Sequence, residues 1–125
     1  PRARERLVRA YLEAHVFCLP TRFEPFGIVF LEAMQYGLPC VGPNAWAVPE
    51  MVEDGVTGLL TPPEDAGDLA RALVRLLADP ALARRMGEAG RRKAADYFTW
   101  PATVRRMNRV LELVGSERPL GDGRT

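Results

Sequence analysis

At 125 residues, 47% of them hydrophobic, and with a net charge of +1, the chain has material for one small core and no bulk charge for gripping nucleic acid. No apolar stretch approaches the ~20 residues that a membrane span needs, and no secretory leader is expected. Charge is uneven, however: residues 1–64 carry 5 Lys/Arg and 8 Asp/Glu, net −3, and residues 65–125 carry 12 and 8, net +4.

Residues 3–13 read as an amphipathic helix with Leu7, Ala10, Tyr11 and Ala14 on one side. His15 to Leu19 is a short buried strand ended by Pro20. A helix is then expected from Pro25 or Phe26 to Tyr36, closed by Gly37. Pro25 suits a first helical position, because its φ is fixed and its missing N–H is not needed there. Glu24, before the proline, is pushed towards an extended conformation outside the helix.

That arrangement would leave the N–H groups of Phe26, Gly27 and Ile28 pointing out of the positive end of the helix dipole, a place for an anion such as a phosphate. Glu32 follows about 12 Å further on at ~1.5 Å per residue. Two carboxylates so spaced fit the ends of an extended phosphate-containing ligand, and a nucleotide-sugar has that shape. The helix is apolar nearly all round, from Phe26 to Tyr36, so Glu32 either needs ligand donors in a buried setting or shares a thin solvated stripe with Gln35.

Pro39 to Gly42 and Thr57 to Leu60 read as further strands, with a helical turn over Pro49 to Val52 and a turn at Glu53-Asp54-Gly55 between them. After the break at Thr61-Pro62-Pro63, three helices follow: Ala66 to Ala78, Pro80 to about Tyr97, and Trp100 to Val114 with Thr99 as N-cap. Strands alternating with helices predict an α/β fold, a Rossmann-like three-layer parallel sheet with helices on both faces. Three strands are half of a doubly wound domain, and a chain opening on Pro1 reads as part of a longer one. Residues 1–115 are assigned to that half-domain and 116–125 to a disordered tail. Cys18 and Cys40 lie in apolar strand-like runs and read as reduced thiols of a cytoplasmic protein. Arg84, Arg85, Arg91, Arg92 and Lys93 form either a basic face for anionic lipid or a solvated helix face interleaved with Glu88 and Asp96.

The run Val16 to Gly27, with Thr21 and then Glu24-Pro25-Phe26-Gly27, continues through Leu31-Glu32-Ala33-Met34 and Tyr36-Gly37-Leu38-Pro39-Cys40-Val41. With Pro49 to Leu60 and Phe98-Thr99-Trp100, it resembles the family-4 (group 1) retaining glycosyltransferases over about residues 10 to 114. The resemblance implies the second half of the C-terminal, donor-binding domain of a GT-B enzyme, which faces an N-terminal domain across a cleft. It assigns Glu24 as the catalytic carboxylate beside the transferred sugar and Glu32 to the ribose hydroxyls. It gives backbone N–H groups of Phe26, Gly27 and Ile28 to sugar oxygens and phosphate. Thr21 either donates a hydroxyl to the donor or caps its own loop.

The family transfers a sugar from a nucleotide-sugar with retention and usually needs no metal, so no cofactor is expected. The acceptor, whether glycan, lipid or small molecule, is left unidentified. Where many relatives have Gly-Gly, this chain has Trp46-Ala47, and Trp46 either stacks on a sugar or packs on the facing domain. The alternatives are a nucleotide-sugar epimerase, a glycan phosphorylase or a non-catalytic nucleotide-binding module. A phosphorylase should carry a cofactor lysine, and the sole candidate, Lys93, sits on a surface-like helix. Open sheet edges also predict that the isolated chain associates with itself, and peripheral membrane contact through the basic face is a further expectation.

Overall fold

The computed structural model describes residues 2–117. The elements are α1 (Arg2–Glu13), β1 (Phe17–Cys18), α2 (Ile28–Gln35), β2 (Cys40–Pro43), α3 (Val48–Met51), β3 (Gly58–Thr61), α4 (Ala66–Ala78), α5 (Pro80–Tyr97) and α6 (Trp100–Glu117). The chain divides into residues 1–94, which hold the sheet, and residues 95–125.

The three strands form one parallel sheet in the order β1-β2-β3, with Phe17 opposite Cys40 and Cys40 opposite Gly58. Side chains alternate across a strand, so each face takes every second residue. On one face, Phe17 meets the ring of Phe30 from α2 edge-on at 5.4 Å, and the Cys40 thiol points at the Phe30 carbonyl, 3.8 Å away. On the other, Val41 and Leu59 pack with Ala72 and Leu76 of α4 and Met86 of α5, and Cys18 joins them. Helices thus cover both faces, and the expected three-layer α/β fold is what forms.

Helix α2 supplies the centre of the core: Phe30, Leu31, Ala33 and Met34 are fully buried. Each of the larger ones contributes about 1.5–3 kcal/mol relative to exposure. Its end is a Schellman turn, in which the N–H of Gly37 bonds the Met34 carbonyl and that of Leu38 the Ala33 carbonyl. Gly37 has φ 72°, as that turn demands.

The later helices start where local chemistry says they should. The Asp65 carboxylate accepts the Asp68 N–H at 2.9 Å before α4, and Asp79 accepts the Leu82 N–H at 3.1 Å before α5. The Thr99 hydroxyl accepts the Ala102 N–H at 3.3 Å before α6. Helix α6 runs to Glu117, three residues past Val114, so the first two residues assigned to a tail are helical. The rest of that tail lies outside the described residues. β1 is shorter than expected, two residues in place of His15 to Leu19. Cys18 and Cys40 are free thiols, and burial pushes Cys40 up to about 12, keeping it protonated and inert at neutral pH.

Candidate functional site

The largest departure from the sequence reading lies at the start of α2. The helix begins at Ile28, not at Pro25 or Phe26, and its N-cap is Gly27 in the left-handed region, φ 70°. Glu24 explains the delay. Its Oε1 accepts the N–H of Gly27 at 3.0 Å and that of Phe26 at 3.3 Å, so Glu24-Pro25-Phe26-Gly27 closes as a turn on its own carboxylate. A side-chain acceptor reaching the backbone two and three residues on competes with a helical turn and wins here.

Two expectations change as a result. The N–H groups of Phe26 and Gly27 are held by Glu24 and do not point out of a helix, so they are not open donors in this conformation. The first N–H groups of α2, those of Ile28 and Val29, cannot be satisfied by the helix itself and have no side-chain cap among the described residues. The ~12 Å figure supposed a helix all the way from Glu24, whereas only Ile28 to Glu32, about 6 Å of rise, is helical.

Glu32 is exposed, and so are Ile28 and Gln35, four before it and three after. These positions share one face of α2, so the thin solvated stripe is what this chain presents, not a buried carboxylate. Glu32 stands beside Tyr11, whose phenol is pushed up by burial first and by the Glu32 carboxylate next. The Tyr11 ring stacks on Tyr36 at 4.9 Å.

Thr21 closes its own loop: its hydroxyl donates to the Phe23 carbonyl at 2.7 Å and accepts the Phe23 N–H at 3.2 Å. It also lines a crevice of about 340 Å³ with Pro43, Thr61 and Asp65, beyond the carboxyl ends of the strands. Open α/β sheets bind ligands on that side. Arg22 and Glu64 pair at 3.3 Å beside it, both highly exposed.

A second loop closes over the Glu24 turn, with the Ala47 N–H bonding the Glu24 carbonyl at 3.1 Å. A Cβ on Gly27 would stand 2.7 Å from Met51 Cγ and 3.2 Å from the Ala47 carbonyl, so the close fit needs glycine as much as the φ does. Glu24, Phe26, Gly27 and the Trp46-Ala47 loop are therefore one constellation, with Ile28 and Glu32 running off it along α2. That contact between loops was not visible in the sequence.

The basic groups of α5 are partly engaged. Arg91 pairs with Glu88 at 2.8 Å, and Lys93 donates to the Glu50 carbonyl at the end of α3, 3.1 Å away. Among the described residues there is no cluster of His, Cys, Asp and Glu able to hold a metal ion, and no helix long and apolar enough to cross a membrane.

The family model described as "Glycosyl transferases group 1" matches residues 2–93, which covers the sheet, α2 and both glutamates. The chain belongs to the group 1 glycosyl transferases. It is 38% identical over 109 residues to the MMP alpha-(1->4)-mannosyltransferase of Mycolicibacterium hassiacum, a match covering 86% of this chain and 26% of that protein. Sucrose-phosphate synthase from Thermosynechococcus elongatus superposes with a TM-score of 0.75 at 38% identity, over 91% of this chain and 29% of that one. Anabaena HepE, solved in complex with UDP-glucose, gives 0.73 at 26% identity over 83% and 29%. The chain thus spans about a quarter of the length of such group 1 relatives.

Proposed function

We propose that this chain is the second half of the donor-binding domain of a retaining GT-B glycosyltransferase, which moves a sugar from a nucleotide-sugar to an acceptor. The observation that carries the reading is the Glu24 turn feeding α2. One carboxylate is locked beside a left-handed Gly27, the helix then opens with unpaired N–H groups, and Glu32 stands one turn along the same exposed face. Membership of the group 1 family supports it, as do the UDP-glucose complex of HepE and the sugar-transferring relatives.

In this reading, the Ile28 and Val29 N–H groups meet phosphate or sugar oxygens, and Glu32 accepts from ribose hydroxyls. Glu24 faces the transferred sugar with the oxygen its own loop leaves free. Phe26 and Gly27 give their N–H groups to the donor only if Glu24 swings away, and Thr21 serves the loop first. No metal is required: helix N–H groups and basic side chains supplied elsewhere in the enzyme neutralise the diphosphate. The engaged, half-buried Lys93 favours this over a phosphorylase. A cytoplasmic setting belongs to the same reading, supported by two unbonded thiols. The remaining domain halves, the acceptor and any contact of the α5 arginines with a membrane surface are further parts of it.

Calorimetry on the 125-residue chain with UDP, ADP and GDP tests the reading. Weak binding of at least one nucleoside diphosphate, unchanged by EDTA, is the expected result. No heat with any of the three, or heat abolished by EDTA, would sink it. Transfer activity is not expected from this segment alone, because the basic side chains that neutralise the departing diphosphate in this reading come from elsewhere in the enzyme. The open edge of β1 further supports self-association of the isolated chain.

A further inference from the structure

Trp46 is held in the left-handed region, φ 56°, where a residue with a Cβ is strained. Glycine would make the same turn without cost, yet a large ring stands there, 41% exposed. Phe23 supports it edge-on, ring centroids 6.3 Å apart at 78°, and the rings of Phe23 and Phe26 are themselves 67% and 70% exposed. Strain of this kind survives only where the surroundings hold it, and it gathers at ligand sites.

What lies next to these rings narrows the ligand. The residue after Trp46 donates its N–H to the Glu24 main-chain carbonyl, so the indole loop is fastened to the backbone of the Glu24 turn. Oε1 of Glu24 takes both turn N–H groups, and Oε2 accepts no bond among the described residues. An apolar ring on one loop, joined through the backbone to a turn that carries an acceptor-only oxygen, suits a ligand with a C–H face and a hydroxyl rim. A pyranose ring is such a ligand. A purely apolar protein surface would leave the carboxylate oxygen without a donor.

We propose that Trp46, backed by Phe23, is a stacking platform for a pyranose ring and a specificity-determining residue at Glu24. This rests on the nucleotide-sugar reading above for the reaction it serves, though not for the contact itself. The ring belongs either to the donor or to the acceptor, and the two sources are separable.

The test follows the indole N–H resonance of Trp46 by NMR in the 125-residue chain, assigned by its loss in Trp46→Phe. UDP, UDP-glucose, and methyl α-glucoside with and without UDP are titrated separately. A shift with UDP-glucose beyond that with UDP marks the donor ring; a shift with the free glucoside marks an acceptor ring. Trp46→Gly should keep or raise the melting temperature, because glycine relieves the φ, and should leave UDP affinity unchanged. It should also lose roughly five- to tenfold in sugar affinity, a loss that Trp46→Phe largely restores, as expected of ring stacking. A chain that binds no UDP but shifts Trp46 with the glucoside would sink the nucleotide-sugar reading and keep the platform. Trp46 unmoved by either sugar, or a fall in melting temperature on Trp46→Gly, would overturn the platform.

Discussion

Gly87→Ala should lower the stability of the chain by about 3 kcal/mol, the upper end of what overpacking costs. Gly87 lies in α5 against the turn at Gly37 that closes α2. A methyl group built on it would stand 2.0 Å from the carbonyl oxygen of Gly37 and 2.9 Å from its carbonyl carbon. Both are backbone atoms, and Gly37 is pinned by the Schellman turn, so neither side can yield as a flexible side chain would. Residue 90, one turn on, is also glycine, and its Cβ would meet Met34 Cγ at 3.3 Å. At ~4 °C per kcal/mol, where the ranges for smaller and larger domains meet, the midpoint should fall by about ten degrees. Gly67→Ala is the control: its methyl meets nothing closer than 3.5 Å near the start of α4. There alanine should gain about 0.5–1 kcal/mol. Thermal unfolding by circular dichroism reads both. A Gly87→Ala chain that melts with the unsubstituted protein would mean that α5 and α2 are not in this contact.

The contrast between α5 and α2 explains how much of this fold its sequence discloses. The bounds of α4 and α5 follow from local chemistry alone: an Asp cap at 65, Pro80 at a first position, and apolar residues at helical spacing. Three strands and their parallel pairing follow as well, because short apolar runs alternate with those helices. The close approach at Gly87 does not follow, since nothing within α5 tells a packing glycine from a tolerated one. The start of α2 was misjudged because Pro25 is a good first helical residue only if the chain is free to enter the helix there. Glu24 instead bonds Phe26 and Gly27, and the turn ends three residues later at a glycine that can take φ 70°. Gly27 was the available signal. As for the site, the pairing of Glu24 with Glu32 was legible as a motif. The exposure of Glu32 was one of two readings its spacing to Gln35 left open, whereas the occupied N–H groups and the Trp46 strain belong to three-dimensional context that no spacing encodes.

In an enzyme of the relatives' length carrying this segment, Glu24→Ala should lower kcat on the order of 10²–10³-fold, the loss typical of one preorganised electrostatic group. Affinity for the bare nucleoside diphosphate should change little. Glu32→Ala should do the reverse, weakening nucleoside diphosphate binding roughly 10- to 100-fold, as expected when a charge-assisted hydrogen bond worth about 1.5–3 kcal/mol is removed. The structure adds a control to this pair. Because Glu24 also ties down the Phe26 and Gly27 N–H groups, alanine there removes a turn as well as a charge. Glu24→Gln keeps an oxygen for those two bonds and loses only the charge, so it separates the two effects. If the carboxylate acts on the sugar, Gln should be nearly as slow as Ala, with the melting temperature restored. If Glu24 matters only as the staple of the turn, Gln should recover turnover together with stability. Calorimetry with the nucleoside diphosphate, steady-state kinetics and a melting curve on all three variants decide between these. Equal affinity losses for Glu24→Ala and Glu32→Ala would sink the division of labour, because the proposed reading gives the nucleotide end of the donor to Glu32 alone.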